Sequence, residues 1–479
     1  MSKSYLVSYL YAVFFSVSVI LLFLLASPEK FAHWFLIPLF FCGVLISVDA
    51  IEWARNKISI FDPKGIVGIL GVHFFFLAPL LHVYWNYWMG RVSPPEDWRV
   101  WLGYLAAFNS CGLIIYKMAR KIRFKNRFKY VWEINYKRFF VLGTLSLIIT
   151  LCFQIFVYSQ YGGISGYINA YAERNDNFSG SGMLFAISES FPIILMMMYV
   201  VYLKKHNKEK KWWVLLLVLL LFFILRMFFG GFRGSRSNTI WALFWAVGLL
   251  HFWVKPISKK IVIGGIIFLL FFMYIYGLYK GAGTEFVEVL GNEDIREEVQ
   301  DRTGRTFETV VLGDLGRSDV QSYILYKIYD SNHDNNYGYG STYVGALNLL
   351  IPKSLIEERV PTKIREGTNF LYGEGTYENG ITVSSRIYGL FGEALLNFGP
   401  VLAIFSFIIF GFYISWLRGM LFGLKEKDSR FLIFPFLIVM AFLMIVNDSD
   451  NMIFALIKNC LVPFLVIYFS SIKVERSLV

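Results

Sequence analysis

Charge, histidine and cysteine are all scarce in this chain of 479 residues. Only 17% of it is Asp, Glu, Lys or Arg, and it holds six histidines and four cysteines. Soluble globular proteins carry about 25% charged residues. A soluble chain of this length makes roughly three domains, and there is too little polar surface to cover them. A soluble multidomain enzyme, a disordered chain and a fibrous repeat are excluded. Cys42, Cys111, Cys152 and Cys460 fall within apolar runs. They offer neither a disulfide framework nor a metal spacing, and the expectation is that they are buried small hydrophobes. His33, His73, His82, His206, His251 and His333 do not pair as a metal site. There is no GxxxxGK[ST] loop for an ATP-driven pump, no HExxH, no cytoplasmic D-x-D site for a nucleotide sugar and no internal repeat.

What is abundant is apolar side chain, 56% of the total, with 19% aromatic. A bilayer core about 30 Å thick needs roughly 20 apolar residues as a helix. Twelve runs qualify: 5–27, 31–53, 66–88, 99–117, 139–158, 183–203, 212–230, 237–254, 261–279, 387–416, 431–446 and 451–472. The first, behind Lys3, is too long for a cleaved signal and is expected to stay as a helix. The breaks at 230–236 (GGFRGSR) and 447–450 (NDSD) are too polar to sit in lipid. The fold class expected is an all-α polytopic membrane protein.

The net charge of +12 tests that layout. With the N-terminus inside, cytoplasmic segments hold 27 of the 46 Lys and Arg, nine of them in 117–138, while the short outside loops hold six. The positive-inside rule then puts both termini in the cytoplasm. The basic run at 117–138 is a topology determinant beside anionic lipid rather than a nucleic-acid patch. The expected organisation is helices one to nine over 1–279, an extracytoplasmic cap over 280–386, and helices ten to twelve over 387–479. The cap holds 17 of the chain's 34 acidic residues against 11 basic ones. A second outside loop at 159–182 is rich in Gly, Tyr and Asn.

Three constellations carry chemistry. Lys458 and Arg226 are the clearest intramembrane charges, and each can snorkel. Arg226, Arg233 and Arg236 cluster around GGFRGSRSN, where Gly230, Gly231 and Gly234 permit close backbone approach. Guanidinium groups grip phosphate by their fork geometry, and arginines on so short an outside loop run against the positive-inside bias. The alternative is pairing with the acidic cap or with lipid headgroups. In SSRIYGLFGEALLNFGP (384–400), Arg386, Gly389, Glu393 and Asn397 share one helical face. Such a stripe inside a bilayer must face protein or water. Glu393 either neutralises Arg386 or serves as a general base or sugar-hydroxyl acceptor, and Gly399-Pro400 can kink the helix. In the cap, Asp314, Arg317 and Asp319 stand in one stretch, and Lys363, Arg365, Glu366, Glu374 and Glu378 lie among tyrosines. Rings stack on sugar faces and carboxylates accept hydroxyls, although any solvated loop has a similar composition. Together these features fit a lipid-linked pyrophosphoryl sugar, with cations stabilising the leaving lipid diphosphate.

RIYGLFGEALLNFG (386–399), the GGFRGSRS turn (230–237) and the large cap between late helices resemble Wzy-type polysaccharide polymerases, the repeat-unit polymerases of O-antigen and capsule. The resemblance covers the layout of nearly the whole chain, with motif matches over about 40 residues. It implies a GT-C-like glycosyltransferase of the bacterial inner membrane with no cofactor and no metal, its site facing the exterior. A growing glycan on undecaprenyl pyrophosphate would pass en bloc to a new lipid-linked repeat unit, with a separate co-polymerase setting chain length and no nucleic-acid partner. Arg233, Arg236 and Arg386 would grip pyrophosphate. Glu393, with Arg386 and Arg317, would be catalytic. Asp319, Arg365, Glu374 and Tyr388 would meet the glycan. Related O-antigen ligases use an outside histidine, and here the cap has only His333, in a Ser-Asn-His-Asp-Asn loop without matching context. Ligase and lipid-linked-oligosaccharide flippase are the alternatives.

Overall fold

The computed structural model describes residues 3–122, 128–172, 182–208, 210–232, 236–282, 286–303, 306–329, 337–351, 355, 358–378 and 385–475. Its principal elements are α1 (Lys3–Ala26), α2 (Leu36–Ala54), α3 (Pro63–Trp85), α4 (Trp98–Ala119), β1 (Tyr130–Ile134), α5 (Tyr136–Gln160), α6 (Gly182–Lys205), α7 (Trp212–Gly231), α8 (Arg236–Trp253) and α9 (Lys259–Ala282). There follow α10 (Ser318–Tyr329), α11 (Lys363–Tyr372), α12 (Gly389–Ala403), α13 (Ser406–Gly423), α14 (Phe434–Val446), α15 (Ser449–Ser470) and β2 (Ser471–Glu475).

Among the described residues nine helices are long and apolar enough to cross a membrane: α1, α2, α3, α5, α6, α7, α9, α13 and α15. The chain is therefore an all-α polytopic membrane protein. The other expected spans take a different form. α4 and α8 are long helices, but Arg99, Asn109 and Lys117 in the first and Arg236, Asn238 and His251 in the second dilute their hydropathy. The run 387–416 does not form one helix. Gly399 leaves helical geometry at φ 73° ahead of Pro400, as the Gly-Pro step predicts, and a turn at 404–405 separates α12 from α13. α14 has 13 residues. At about 1.5 Å per residue it covers roughly 20 Å, short of the hydrocarbon thickness. Cys42 and Cys460 are buried, but Cys111 and Cys152 are exposed on α4 and α5. They were expected inside. For Cys152, on a helix of spanning length, an outward face meets lipid, so an apolar setting does not require burial in protein.

The chain packs as two compact units. The first comprises 1–125, 311–421 and 440–454; the second comprises 126–310, 422–439 and 455–479. In the first, α2 packs against α1, α3 and α4. Gly68 permits the close approach of α3 to α2, because a Cβ there would overlap the backbone of Asp49 and Ala50. The ends of these helices are tied by charge. Asp49 is buried and meets Arg120, Lys64 at 3.5 Å and Lys117 at 3.8 Å. Lys64 also meets Glu52, and Arg418 meets Asp62 at 3.0 Å.

Part of the stretch expected to form the extracytoplasmic cap is built into this unit. α10 packs along α4 and α12, and its Ile324, Leu325 and Ile328 are buried. The Val311 carbonyl lies 3.0 Å from Nε2 of His73, near the midpoint of α3. Residues 311–329 thus run beside membrane-length helices.

In the second unit β1 and β2 pair antiparallel, Tyr130 opposite Glu475. Asp428 accepts from the Trp132 N–H at 3.2 Å, and Lys204 meets Glu426 at 2.8 Å. Four segments expected on the cytoplasmic side (128–134, 204–211, 424–430 and 471–475) therefore touch one another. Trp245 of α8 donates to the Leu432 carbonyl at 2.7 Å.

Asp49→Ala removes the carboxylate shared by three buried or nearly buried cations, of which Lys64 retains Glu52. We expect it to destabilise the solubilised protein by about 3–5 kcal/mol, read as a lower temperature at which half the protein stays monodisperse. An unchanged midpoint would show that the cluster contributes nothing to stability.

Candidate functional site

The densest polar region of the first unit lies where α12, α14 and α15 meet, and two carboxylates organise it. Glu393, one turn into α12, accepts from the Ser449 N–H at 2.7 Å and the Ser449 hydroxyl at 2.6 Å, at the first residue of α15. Asp448, just before α15, accepts from the N–H groups of Tyr388 and Gly389 at 2.7 and 3.0 Å, at the start of α12. Each helix thus supplies the carboxylate that caps the other. This satisfies N–H groups that a helix start leaves open and sets negative charge against the positive end of the helix dipole. Gly389 makes the approach possible. Its φ is +72°, and a Cβ there would overlap the Ile445 carbonyl.

The remaining acceptors are filled as well. Thr342 donates to Glu393 at 2.8 Å, and Asn397 bridges Thr342 at 2.8 Å and the Glu393 carbonyl at 2.9 Å. Gly340 N–H reaches the Asn397 side-chain oxygen at 3.0 Å. Lys363 of α11 is wholly buried. Its ammonium meets Asp448 at 2.8 Å, donates to the Arg386 carbonyl and lies 3.7 Å from the centre of the Tyr388 ring. Gln321 of α10 donates to the Tyr388 carbonyl at 2.8 Å. Arg317 donates from Nε to the Val446 carbonyl at 3.1 Å and from one terminal nitrogen to the carbonyls of Gly313, Asp314 and Gly316. Burial pushes its pKa below the ordinary value, against the opposing pull of Asp448, Asp314 and Asp319.

The sequence-predicted residues separate accordingly. Glu393, Tyr388, Arg317 and Arg386 come together, as do Lys363 and Asn397. Glu393 does not neutralise Arg386; hydroxyl and N–H donors surround its carboxylate. Arg386 is half-buried, and among the described residues its guanidinium has no hydrogen-bond or ion-pair partner. Tyr388 has no exposed surface and its hydroxyl donates to the Gly367 carbonyl at 2.6 Å, so it presents no face to a glycan. Asp319 is buried too and accepts from the Val320 N–H at 2.8 Å in the first turn of α10. Arg365 and Glu374 are exposed. Arg365 is engaged by Glu378, which Asn369 holds at 3.0 Å. That hydrogen bond, reinforced by Arg365, keeps the Glu378 carboxyl below its usual range. Arg233, His333 and residues 173–181 lie outside the described residues, as does the side chain of Arg236, which opens α8.

The second unit holds a separate buried charge cluster. Glu189 sits at a turn inside α6 and takes both intramembrane cations, Arg226 at 3.0 Å and Lys458 at 2.8 Å, with all three side chains at most 2% exposed. Neither cation snorkels. Arg226 also donates to the Asn238 carbonyl at 3.3 Å, which ties the end of α7 to the start of α8. Gly230, at φ +117°, lies where a Cβ would overlap the Glu189 carboxylate, so this glycine does permit a close approach. Sequence reasoning missed Glu189, Asp448, Ser449 and Thr342. The available signal was acid inside or between apolar runs: Ser188-Glu189-Ser190, and the NDSD break itself.

Among the described residues no three His, Cys, Asp or Glu side chains converge as a metal site requires. Comparison with models of protein families, with curated proteins and with solved structures finds no match.

Lys363 and Asp448 form a buried pair, so Lys363→Met alone should cost about 3–5 kcal/mol, by leaving a carboxylate without its cation. Adding Asp448→Asn should recover a good part of that loss. Thermal denaturation of both variants in detergent measures the coupling. Strictly additive losses would mean the two charges do not interact.

Proposed function

We propose that this chain is a membrane glycosyltransferase that polymerises undecaprenyl-pyrophosphate-linked oligosaccharide repeat units at the outer leaflet. It would do so by transferring the growing glycan en bloc to a new lipid-linked unit. The reading includes twelve spans in a GT-C-like arrangement, both termini in the cytoplasm, the bacterial inner membrane, and a chain-length co-polymerase as partner. The observation that carries it is Arg386. It is a half-buried arginine without a counter-ion among the described residues, anchored through its own carbonyl to Lys363 and held beside Arg317. An arginine with its fork unoccupied suits a diphosphate, which as leaving group gains charge as the glycosidic C–O bond breaks. The fold supports the same reading in a second way. α14 is short and residues 311–329 run beside helices of spanning length, which suits a polar junction whose backbone groups are satisfied by protein.

In this reading Arg386 grips the diphosphate. Glu393, already clamped by Ser449 and Thr342, holds the α12–α15 junction and hence the position of Arg386. A second reading, a lipid-linked-oligosaccharide flippase, is favoured by the Arg226–Glu189–Lys458 cluster, because ionised groups inside a membrane often mark a transport path.

Deleting the gene should leave single repeat units on the surface in place of long chains, seen by gel analysis of surface glycan. Complementation with Arg386→Ala should fail to restore long chains at normal protein levels, and Arg386→Lys should restore them in part, because bidentate geometry is lost. Loss of all surface glycan, single units included, would favour the flippase. Long unattached chains would favour a ligase.

Glu393→Gln keeps an acceptor for Ser449 but removes charge. We expect a fall in kcat with little change in its pH dependence, as befits a positioning residue. Loss of a pH-dependent limb would make Glu393 the general base instead.

A further inference from the structure

We infer that the first unit carries a glycan-binding groove on Tyr323 and Tyr326 of α10 and Tyr372 of α11. The inference rests on the reading above and names where the sugars of that substrate sit. The groove has a volume of about 440 Å³, within the roughly 300–1,000 Å³ typical of small-molecule sites. Opposite the tyrosines it is walled by the turn from Arg91 to Pro95. Of the four side chains expected to meet a glycan, Tyr388 and Asp319 are buried and Arg365 is engaged by Glu378, which leaves Glu374 exposed and most of the task open.

The groove's construction suits a pyranose. A sugar ring presents an apolar C–H face and a rim of hydroxyls, while a tyrosine presents a flat apolar face and a hydroxyl tip. Tyr323, Tyr326 and Tyr372 are each half-buried, so ring surface is available. Their partners hold them in place. Trp88 meets Tyr323 edge-on at 6.3 Å, Trp101 meets Tyr326 edge-on at 5.5 Å, and the Tyr323 and Tyr326 rings lie 5.8 Å apart. Lys327 donates to the Phe370 carbonyl at 2.7 Å and fixes α10 to α11 along the groove. The opposite wall includes Arg91 in left-handed backbone at φ +72°, a costly conformation that the surrounding structure maintains. The indole N–H of Trp88 is buried without a hydrogen-bond partner among the described residues. A platform fixed this way spends little entropy on binding.

Its place in the fold links it to the candidate site. Gln321, which holds the Tyr388 carbonyl, and Tyr326 are five residues apart on α10, a rise of about 8 Å. α11 serves both regions too, with Lys363 at its first turn and Tyr372 at its end. Two helices thus carry the polar junction at one end and the tyrosine groove at the other. That is the layout required for a ligand whose diphosphate and sugars bind in sequence. An interfacial aromatic belt that contacts lipid headgroups is the competing account of the same rings.

The test uses the full-length protein in nanodiscs and its intrinsic tryptophan fluorescence, since Trp88 and Trp101 touch Tyr323 and Tyr326. The probe is the delipidated oligosaccharide released by mild acid from the host's own surface glycan. We expect a saturable change in the wild type, binding about tenfold weaker in Tyr323→Ala/Tyr326→Ala, and largely retained binding in Tyr323→Phe/Tyr326→Phe. Monodisperse elution of each variant confirms folding. Equal binding by the alanine variant, no binding by the wild type, or a response to short-chain phosphatidylglycerol instead of the sugar would each overturn the groove. If the wild type binds the oligosaccharide through these tyrosines while gene deletion leaves glycan chain length unchanged, the polymerase reading falls and the groove stands.

Discussion

The first unit is held together by an exchange of carboxylates. Glu393 on α12 closes the start of α15, and Asp448 beside α15 closes the start of α12. Both ends lie deep in protein, where water cannot satisfy a helix start and an open N–H would cost several kcal/mol. The exchange sets the angle between the two helices and the position of the turn joining α14 to α15. Lys363 follows from it, because a wholly buried Asp448 needs a cation. Lys363 in turn fixes the Arg386 carbonyl and the Tyr388 ring. Arg317 reaches the same turn through the Val446 carbonyl. If Asp448 were lost, α11 would lose the ion pair of Lys363 as well.

A consequence is that the residues most tempting as chemistry are structural in their contacts. Glu393 has its oxygens occupied by hydroxyls and an N–H. Arg317 spends Nε and one terminal nitrogen on carbonyls. Among the described charged residues of this junction, Arg386 alone has a guanidinium with no hydrogen-bond or ion-pair partner, which is why the functional reading turns on it. The second unit shows the same economy. Glu189 takes two intramembrane cations on one carboxylate, and a glycine at positive φ lets the backbone close over it.

Tyr388 and the groove tyrosines show how much identity leaves open. Tyr388 sits in the motif and was expected to face a glycan, yet it is sealed beneath Lys363. Tyr323 and Tyr326 carry no motif and stand half-open on the far end of the same assembly. A tyrosine's apolar ring and polar tip suit burial against an ammonium as well as contact with a sugar, and only its neighbours decide between the two.

The sequence by itself determined that the chain is a helical membrane protein, because apolar runs of spanning length have no other stable arrangement in lipid. It also located the kink at Gly399-Pro400, the close approach at Gly230 and the stripe of Arg386, Glu393 and Asn397, since local backbone rules and helical period are written in short stretches. It placed Lys458 and Arg226 inside the membrane. It did not supply their partner, because Glu189 is 37 residues from Arg226 and joins it only through packing. The NDSD break was legible as a break, but its role as the hub was not. Hydropathy measures how poorly a segment suits lipid, whereas Asp448 and Ser449 gain their partners from helices 56 to 60 residues distant. The path of residues 311–329 was likewise a tertiary decision. α10 is too short and too polar to register as a span, and its place was decided by the fit of its buried face to α4 and α12.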